Sequence, residues 1–208
     1  MKTIIYQQQT VTPSKIVCVG RNYAKHITEL NNQNTGDMVI FMKPNSAISS
    51  VLYASQKACS QVIHYEAELC FIIEKNALAG VGFGLDLTKR ELQGDLKAKG
   101  LPWERAKGFD DSAVFSEFIA LNSDMAVADL SVELLINQQQ RQKGGVSEML
   151  FSPETVLADV TCFMTFEDGD VMMTGTPEGV GVVQQGDEFV GRVFYQDKLL
   201  IEMLWIAQ

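Results

Sequence analysis

The run VIHYEAELCFII, residues 62–73, reads as a β-strand buried on both faces, yet it carries Glu66 and Glu68 two positions apart. Alternate side chains of a strand point to opposite faces, so the two carboxylates share one face. An unpaired buried carboxylate costs several kcal/mol, and two close together also repel. The chain must bring positive charge to that face or leave it in water. Two readings follow: an edge strand with one solvated face, or a pair of oxygen ligands for a divalent cation. Asp86, inside the apolar pattern GFGLDLT, is a candidate third carboxylate. Three carboxylates and only two histidines in the chain suit Mg2+ or Mn2+ better than zinc.

The rest of the chain narrows the class. A length of 208 residues without repeat, linker or low-complexity stretch predicts a single domain spanning 1–208. A net charge of −9 argues against nucleic acid and against anionic membrane surfaces as partners. No run is apolar enough to span a bilayer, and the start, MKTIIYQQQT, breaks too early for a signal peptide. Cys18, Cys59, Cys70 and Cys162 form no CxxC pair, so reduced thiols and a cytoplasmic location are expected.

Strands are predicted at 15–20, 38–44, 62–75 and 80–88, with a hairpin over 130–144 and further strands from 170 onward. Helices are predicted over 21–32, over 88–100 with Thr88 as N-cap and Glu91 completing a capping box, and over 152–170 with Ser152 as N-cap and Pro153 at its first position. Val156, Leu157, Val160, Phe163 and Met164 follow helical spacing in the last of these. Strands outnumber helices without alternating with them, which predicts a mainly β, α+β architecture with a mixed sheet.

Seven segments carry a resemblance. CVGRNYAKHITE (18–29), IFMKPNSAI (40–48), HYEAEL (64–69), LDLTKRELQ (85–93), KGLPWERAKGFD (99–110), EMLFS (148–152) and GDVMMTGTPEGVG (169–181), in that order, resemble the fumarylacetoacetate hydrolase family, near its short acylpyruvate hydrolase and oxaloacetate decarboxylase members. The resemblance implies a rolled, barrel-like mixed sheet with a few short helices, a metal held by Glu66, Glu68 and Asp86, and a homodimer. It implies small 2-oxo acids as substrates. It assigns a His26–Glu29 dyad on a lid helix and a substrate-facing Lys107, and places Arg21, Arg90, Gln93 and Thr176 around the site.

Residue chemistry is compatible with each role, although each has a plainer alternative. His26 and Glu29, three apart, share a helix face, where a carboxylate can fix the imidazole tautomer; the alternative is a surface ion pair. His64 lies on the Glu66–Glu68 face of a regular strand and reads as orienting a ligand or water, or as a hydrogen-bonded core histidine. Lys107 suits a carboxylate or enolate oxygen, or is simply solvated. Backbone N–H groups and the Thr174 and Thr176 hydroxyls of GDVMMTGTPEGVG suit an anion, or form a tight turn. Arg90 and Gln93 share one helix face, which solvent would also satisfy. The expected reaction is metal-assisted C–C cleavage of an acylpyruvate, with oxaloacetate decarboxylation possible at the same site. Isomerisation or hydration of an unsaturated 2-oxo dioic acid, and a non-catalytic family member, are the alternatives.

Overall fold

A computed structural model of the protein describes residues 1–29, 36–56 and 61–208. Cys59 and the 30–35 part of the first predicted helix and its following loop lie outside the described residues.

A mixed eight-stranded sheet curls into a half-barrel. Its path runs Val39–Pro44, Lys15–Gly20, Val171–Met173, Ala67–Glu74, Ala77–Asp86, Ala113–Phe115 and Ile48–Ser49, and Ile119–Ala120 pairs additionally with Ala77–Asp86. Val171–Met173 runs parallel to Lys15–Gly20 but antiparallel to Ala67–Glu74, which makes the sheet mixed. The central strands are apolar at nearly every position because both faces are covered. Val17, Val19, Leu69, Phe71 and Phe83 pack toward one core. Ile16, Cys18, Cys70, Ile72 and Met173 pack toward another, with Ile4, Tyr6, Phe41 and Phe118.

The first core is closed by an antiparallel four-stranded sheet ordered Gln139–Gly145, Leu130–Ile136, Glu188–Tyr195, Lys198–Ile206. Leu130–Ile136 alternates buried and half-buried residues along its whole length, so the expected 130–144 hairpin forms. The link between Ala67–Glu74 and Ala77–Asp86 is a two-residue turn, Lys75 and Asn76, both with positive φ (51° and 57°). A pair of left-handed residues matches the twist of a hairpin.

Three expectations are corrected. The 62–75 run is two strands, Ile63–Tyr65 and Ala67–Glu74, interrupted at Glu66. Thr88 is not an N-cap: the helix is Arg90–Ala98, no side chain caps it, and the Thr88 hydroxyl donates to the Asp86 carbonyl. The helix opened by Ser152 spans Pro153–Thr161, with the Ser152 side chain accepting from Thr155 N–H. Val156, Leu157 and Val160 are buried, while Phe163 lies beyond the helix and is 61% exposed.

Candidate active site

The interruption at Glu66 is where the chain changes sheets. Ile63–Tyr65 pairs with Thr88–Lys89 and Gly181–Val182 in a small three-stranded sheet, whereas Ala67–Glu74 belongs to the half-barrel. The neighbouring strand switches at the same level, Ala77–Asp86 giving way to Thr88–Lys89 after Leu87. Asp86 N–H donates to the Glu66 carbonyl at 2.8 Å, joining the two corners. Glu66, Glu68 and Asp86 therefore hang from one point of the fold. All three are buried, and each offers an oxygen within 4.8 Å of the others. The solvated-edge alternative is thereby removed.

Three cations pair with this trio, Lys107, Arg90 and Lys43, and two more, Arg21 and Lys97, line the adjoining cavity. The Lys107 ammonium lies 2.7 Å from Glu66 Oε2, 2.5 Å from Asp86 Oδ2 and 2.7 Å from Thr88 Oγ1. Arg90 donates to Glu66 Oε1, and its other nitrogen to Gln93 Oε1 at 2.7 Å. Arg21, at φ 60°, and Lys97 line the same cavity together with His26, Gln93, Trp103 and Thr176. A non-glycine residue at positive φ is sparsely populated backbone, and here it stands at the end of the Lys15–Gly20 strand, beside the site.

Lys43 is a fully buried lysine that sequence reasoning did not select. Its Nζ lies 2.8 Å from Asp86 Oδ1 and donates to the carbonyls of Leu87, Lys107 and Ser112 and to the Ser112 hydroxyl. It thus fixes the backbone that presents Lys107. The available signal was a charge at an alternating position of an otherwise apolar strand, VIFMKP, the same signal that exposed Glu66 and Glu68.

His26 is buried in the Ala24–Glu29 helix, and its Nδ1 lies 3.2 Å from Glu29 Oε2. The other Glu29 oxygen accepts from Gly179 N–H at 3.0 Å. The carboxylate accepts only, so the Nδ1–H tautomer is favoured and Nε2 is left to face the cavity. Asn22 ties this segment down, donating to the carbonyls of Phe151 and Thr174 and accepting from Phe151 N–H.

The glycine-threonine loop differs from expectation. Gly175 N–H, at φ 95°, donates to Glu68 Oε2 at 2.8 Å, so the anion it serves is the protein's own. The Thr174 and Thr176 hydroxyls donate to the Leu69 and Ala67 carbonyls and bind the loop to the carboxylate strand. Gln142, also missed, clamps the arrangement: it accepts from Ala67 N–H and donates to Thr176 Oγ1 and the Pro177 carbonyl. His64 makes no hydrogen bond through its buried Nδ1 among the described residues.

Protonation states follow from these contacts. Burial raises Glu66, but Lys107 and Arg90 outweigh it and hold the carboxyl well below its ordinary value. Glu68, farther from the cations, is pushed well up by burial and by the charges of Asp86 and Glu66. Burial alone would lower Lys107, yet Asp86 and Glu66 raise it. His26 is lowered, chiefly by burial, against the opposing pull of Glu66 and Glu29, and so is neutral near pH 7.

The donor set fits a hard divalent ion. It offers only carboxylate oxygens, and the Lys107 ammonium already stands in for a cation between two of them. Asp86 Oδ1 faces Lys43 yet accepts no hydrogen bond among the described residues, leaving lone-pair capacity. Oxygens about 2.1 Å from one Mg2+ lie at most about 4.2 Å apart, so side-chain shifts of under about 1 Å would close the trio around it.

A half-barrel with a carboxylate trio at its sheet corner and a histidine–glutamate pair across a shared cavity defines a metalloenzyme-like class. Residues 15–199 match the model of the fumarylacetoacetate (FAA) hydrolase C-terminal domain. The chain belongs to the fumarylacetoacetate hydrolase family and is an enzyme of that kind. It is 38% identical over 188 residues to oxaloacetate tautomerase YcgM of Escherichia coli, covering 84% of this chain and 86% of that protein. A solved fumarylacetoacetate isomerase/hydrolase-type structure from Oleispira antarctica superposes with a TM-score of 0.94 at 35% identity, covering 100% of both chains. Fumarylpyruvate hydrolase from Pseudomonas aeruginosa, solved with Mn2+ and pyruvate, gives a TM-score of 0.86 at 26% identity, covering 100% of this chain and 96% of that one.

Proposed function

We propose that the protein is a Mg2+- or Mn2+-dependent enzyme, a single catalytic unit over 1–208 and a cytoplasmic homodimer, that makes and protonates the enolate of a small 2-oxo acid. Keto–enol interconversion of oxaloacetate is the reaction the site supports best. One observation carries this reading: a neutral, carboxylate-oriented imidazole shares a cavity with Glu66 and Glu68, which with the adjoining Asp86 form a carboxylate trio fit for one hard cation.

Glu66, Glu68 and Asp86 would hold the metal, which supplies a Lewis acid for the carboxylate and keto oxygens of the substrate. His26 takes a proton from the carbon beside the keto group at Nε2 and returns it, with Glu29 stabilising the imidazolium while it exists. Lys107 offers positive charge where the enolate oxygen develops, an interaction stronger in the transition state than in the ground state. Arg90 and Gln93 hold the rim of the cavity through their mutual hydrogen bond. Such a reaction needs no water.

The likeness to the fumarylpyruvate hydrolase favours a second reading, hydrolytic C–C cleavage of an acylpyruvate, with His26 deprotonating a water instead of carbon. Decarboxylation of oxaloacetate shares the same enolate. Ultraviolet decay of enol-oxaloacetate, measured with and without Mg2+, tests the first reading beside pyruvate release from acetylpyruvate, fumarylpyruvate and oxaloacetate. Metal-dependent enol decay without pyruvate release is expected. Absence of both metal-dependent enol decay and pyruvate release from any of the three would overturn the catalytic assignment, and rapid pyruvate release from an acylpyruvate would transfer it to the second reading.

A further inference from the structure

The cations lining the cavity fall into two groups. Arg90 and Lys107 are engaged by Glu66 at the acidic end. Arg21 and Lys97 gather at Trp103, the guanidinium carbon 5.7 Å and the ammonium 4.8 Å from its ring centroid. Both line the cavity that Glu66 and Glu68 line. Arg90, Gln93 and Lys97 are spaced i, i+3, i+7 on the Arg90–Ala98 helix, so one face of that helix runs along the cavity. Its far end, about two turns from Arg90, carries Lys97.

Resting on the 2-oxo acid reading, we propose that Lys97, together with Arg21, binds the second carboxylate of a dicarboxylic 2-oxo acid and so sets a preference for dianionic over monoanionic substrates.

The charge count supports this. Arg21, Arg90, Lys97 and Lys107, with Lys43 behind Asp86, outnumber Glu66, Glu68 and Asp86 by two, and a divalent ion would add to that excess, so a second carboxylate on the substrate meets charge of the opposite sign. Lys97 already responds to the crowding: burial first, then the charges of Arg21 and Arg90, bring it down to about 8, against the opposite pull of Glu66. Trp103 presents its face to both cations and keeps them near one another. A lysine in the last turn of a helix also answers the helix dipole, but that role alone gives no dependence on a ligand's second carboxylate.

Calorimetric titration of the full-length, Mg2+-loaded protein separates the two roles. Three non-reacting probes are used: oxalate, which needs only the metal end; 3,3-difluoro-oxaloacetate, which cannot enolise; and the C4 methyl ester of the latter, which lacks the distal charge. The wild type is expected to bind the diacid about tenfold or more tightly than the ester. Lys97→Gln should abolish that preference while leaving oxalate affinity within about twofold, and Lys97→Arg should restore it. Full preference retained in Lys97→Gln overturns the inference. Equal binding of diacid and ester by the wild type also overturns it, yet leaves the 2-oxo acid reading standing as long as oxalate binds. Failure of the wild type to bind oxalate with either Mg2+ or Mn2+ removes the underlying reading, and the inference with it.

Discussion

Two clusters of ion pairs occupy opposite environments in this molecule. On the four-stranded sheet, Arg192 bridges Glu133 and Glu202 across neighbouring strands, at 3.2 and 2.7 Å, with Glu202 about half exposed. At the sheet corner, Lys43, Lys107 and Arg90 meet Glu66 and Asp86 with almost no solvent. The distances are similar and the energetics are not. An exposed pair exchanges one set of screened interactions for another and is worth about 0–1 kcal/mol. A buried group of charges must overcome a desolvation cost of several kcal/mol per ion, and apolar residues of equal volume would often be at least as stable. The surface cluster is a by-product of pairing strands, whereas the buried one is what the proposed metal chemistry would require.

The largest test of that contrast is Lys43→Met. It takes one of the two lysines from Asp86, which keeps Lys107, and removes a donor from four buried oxygens, so a loss of about 3–5 kcal/mol is expected in urea denaturation. A cost below about 1 kcal/mol would erase the contrast. Next is Asp86→Asn, which should weaken Mn2+ binding at least about a hundredfold by titration and abolish the thermal stabilisation that Mg2+ gives.

A smaller effect concerns pH. His26 is depressed below 6.5, chiefly by burial, so it binds its proton more weakly when folded than when unfolded. Its contribution to stability is complete above 6.5 and is lost as pH falls from there through the depressed folded value. The acid limb of kcat/KM should lie below that of an ordinary histidine, and His26→Gln should remove that limb along with most of the activity. The smallest effect is Arg192→Ala, expected to cost no more than about 1 kcal/mol and less still at high salt. A larger loss there would show that the surface network resembles the corner after all.

Legibility in the sequence followed the range of the interactions. The Glu66–Glu68 spacing and the apolar frame of Asp86 are local, and they announced the acidic trio. The hairpin over 130–144 was equally plain because its alternation is unbroken. The switch of sheets at Glu66 was not, since a period of two continues through a corner and only hydrogen-bond partners reveal the change. Thr88 looked like a helix cap by its spacing, yet its hydroxyl faces Asp86 and Lys107. Lys43, Lys97 and Gln142 escaped notice because their partners are distant in the chain. Gln142, for instance, finds Ala67 across 75 positions. No local pattern encodes such a partner.

The corner itself has a mechanical consequence. Glu68 is carried by the half-barrel, Glu66 and Asp86 stand at the joints leading into the three-stranded sheet, and the small sheet also carries the Thr88 that grips Lys107. An ion seated among them would rivet two layers of the molecule. Sliding one layer against the other would distort its coordination before any strand came apart, so strain between the sheets would register first as a change in metal affinity.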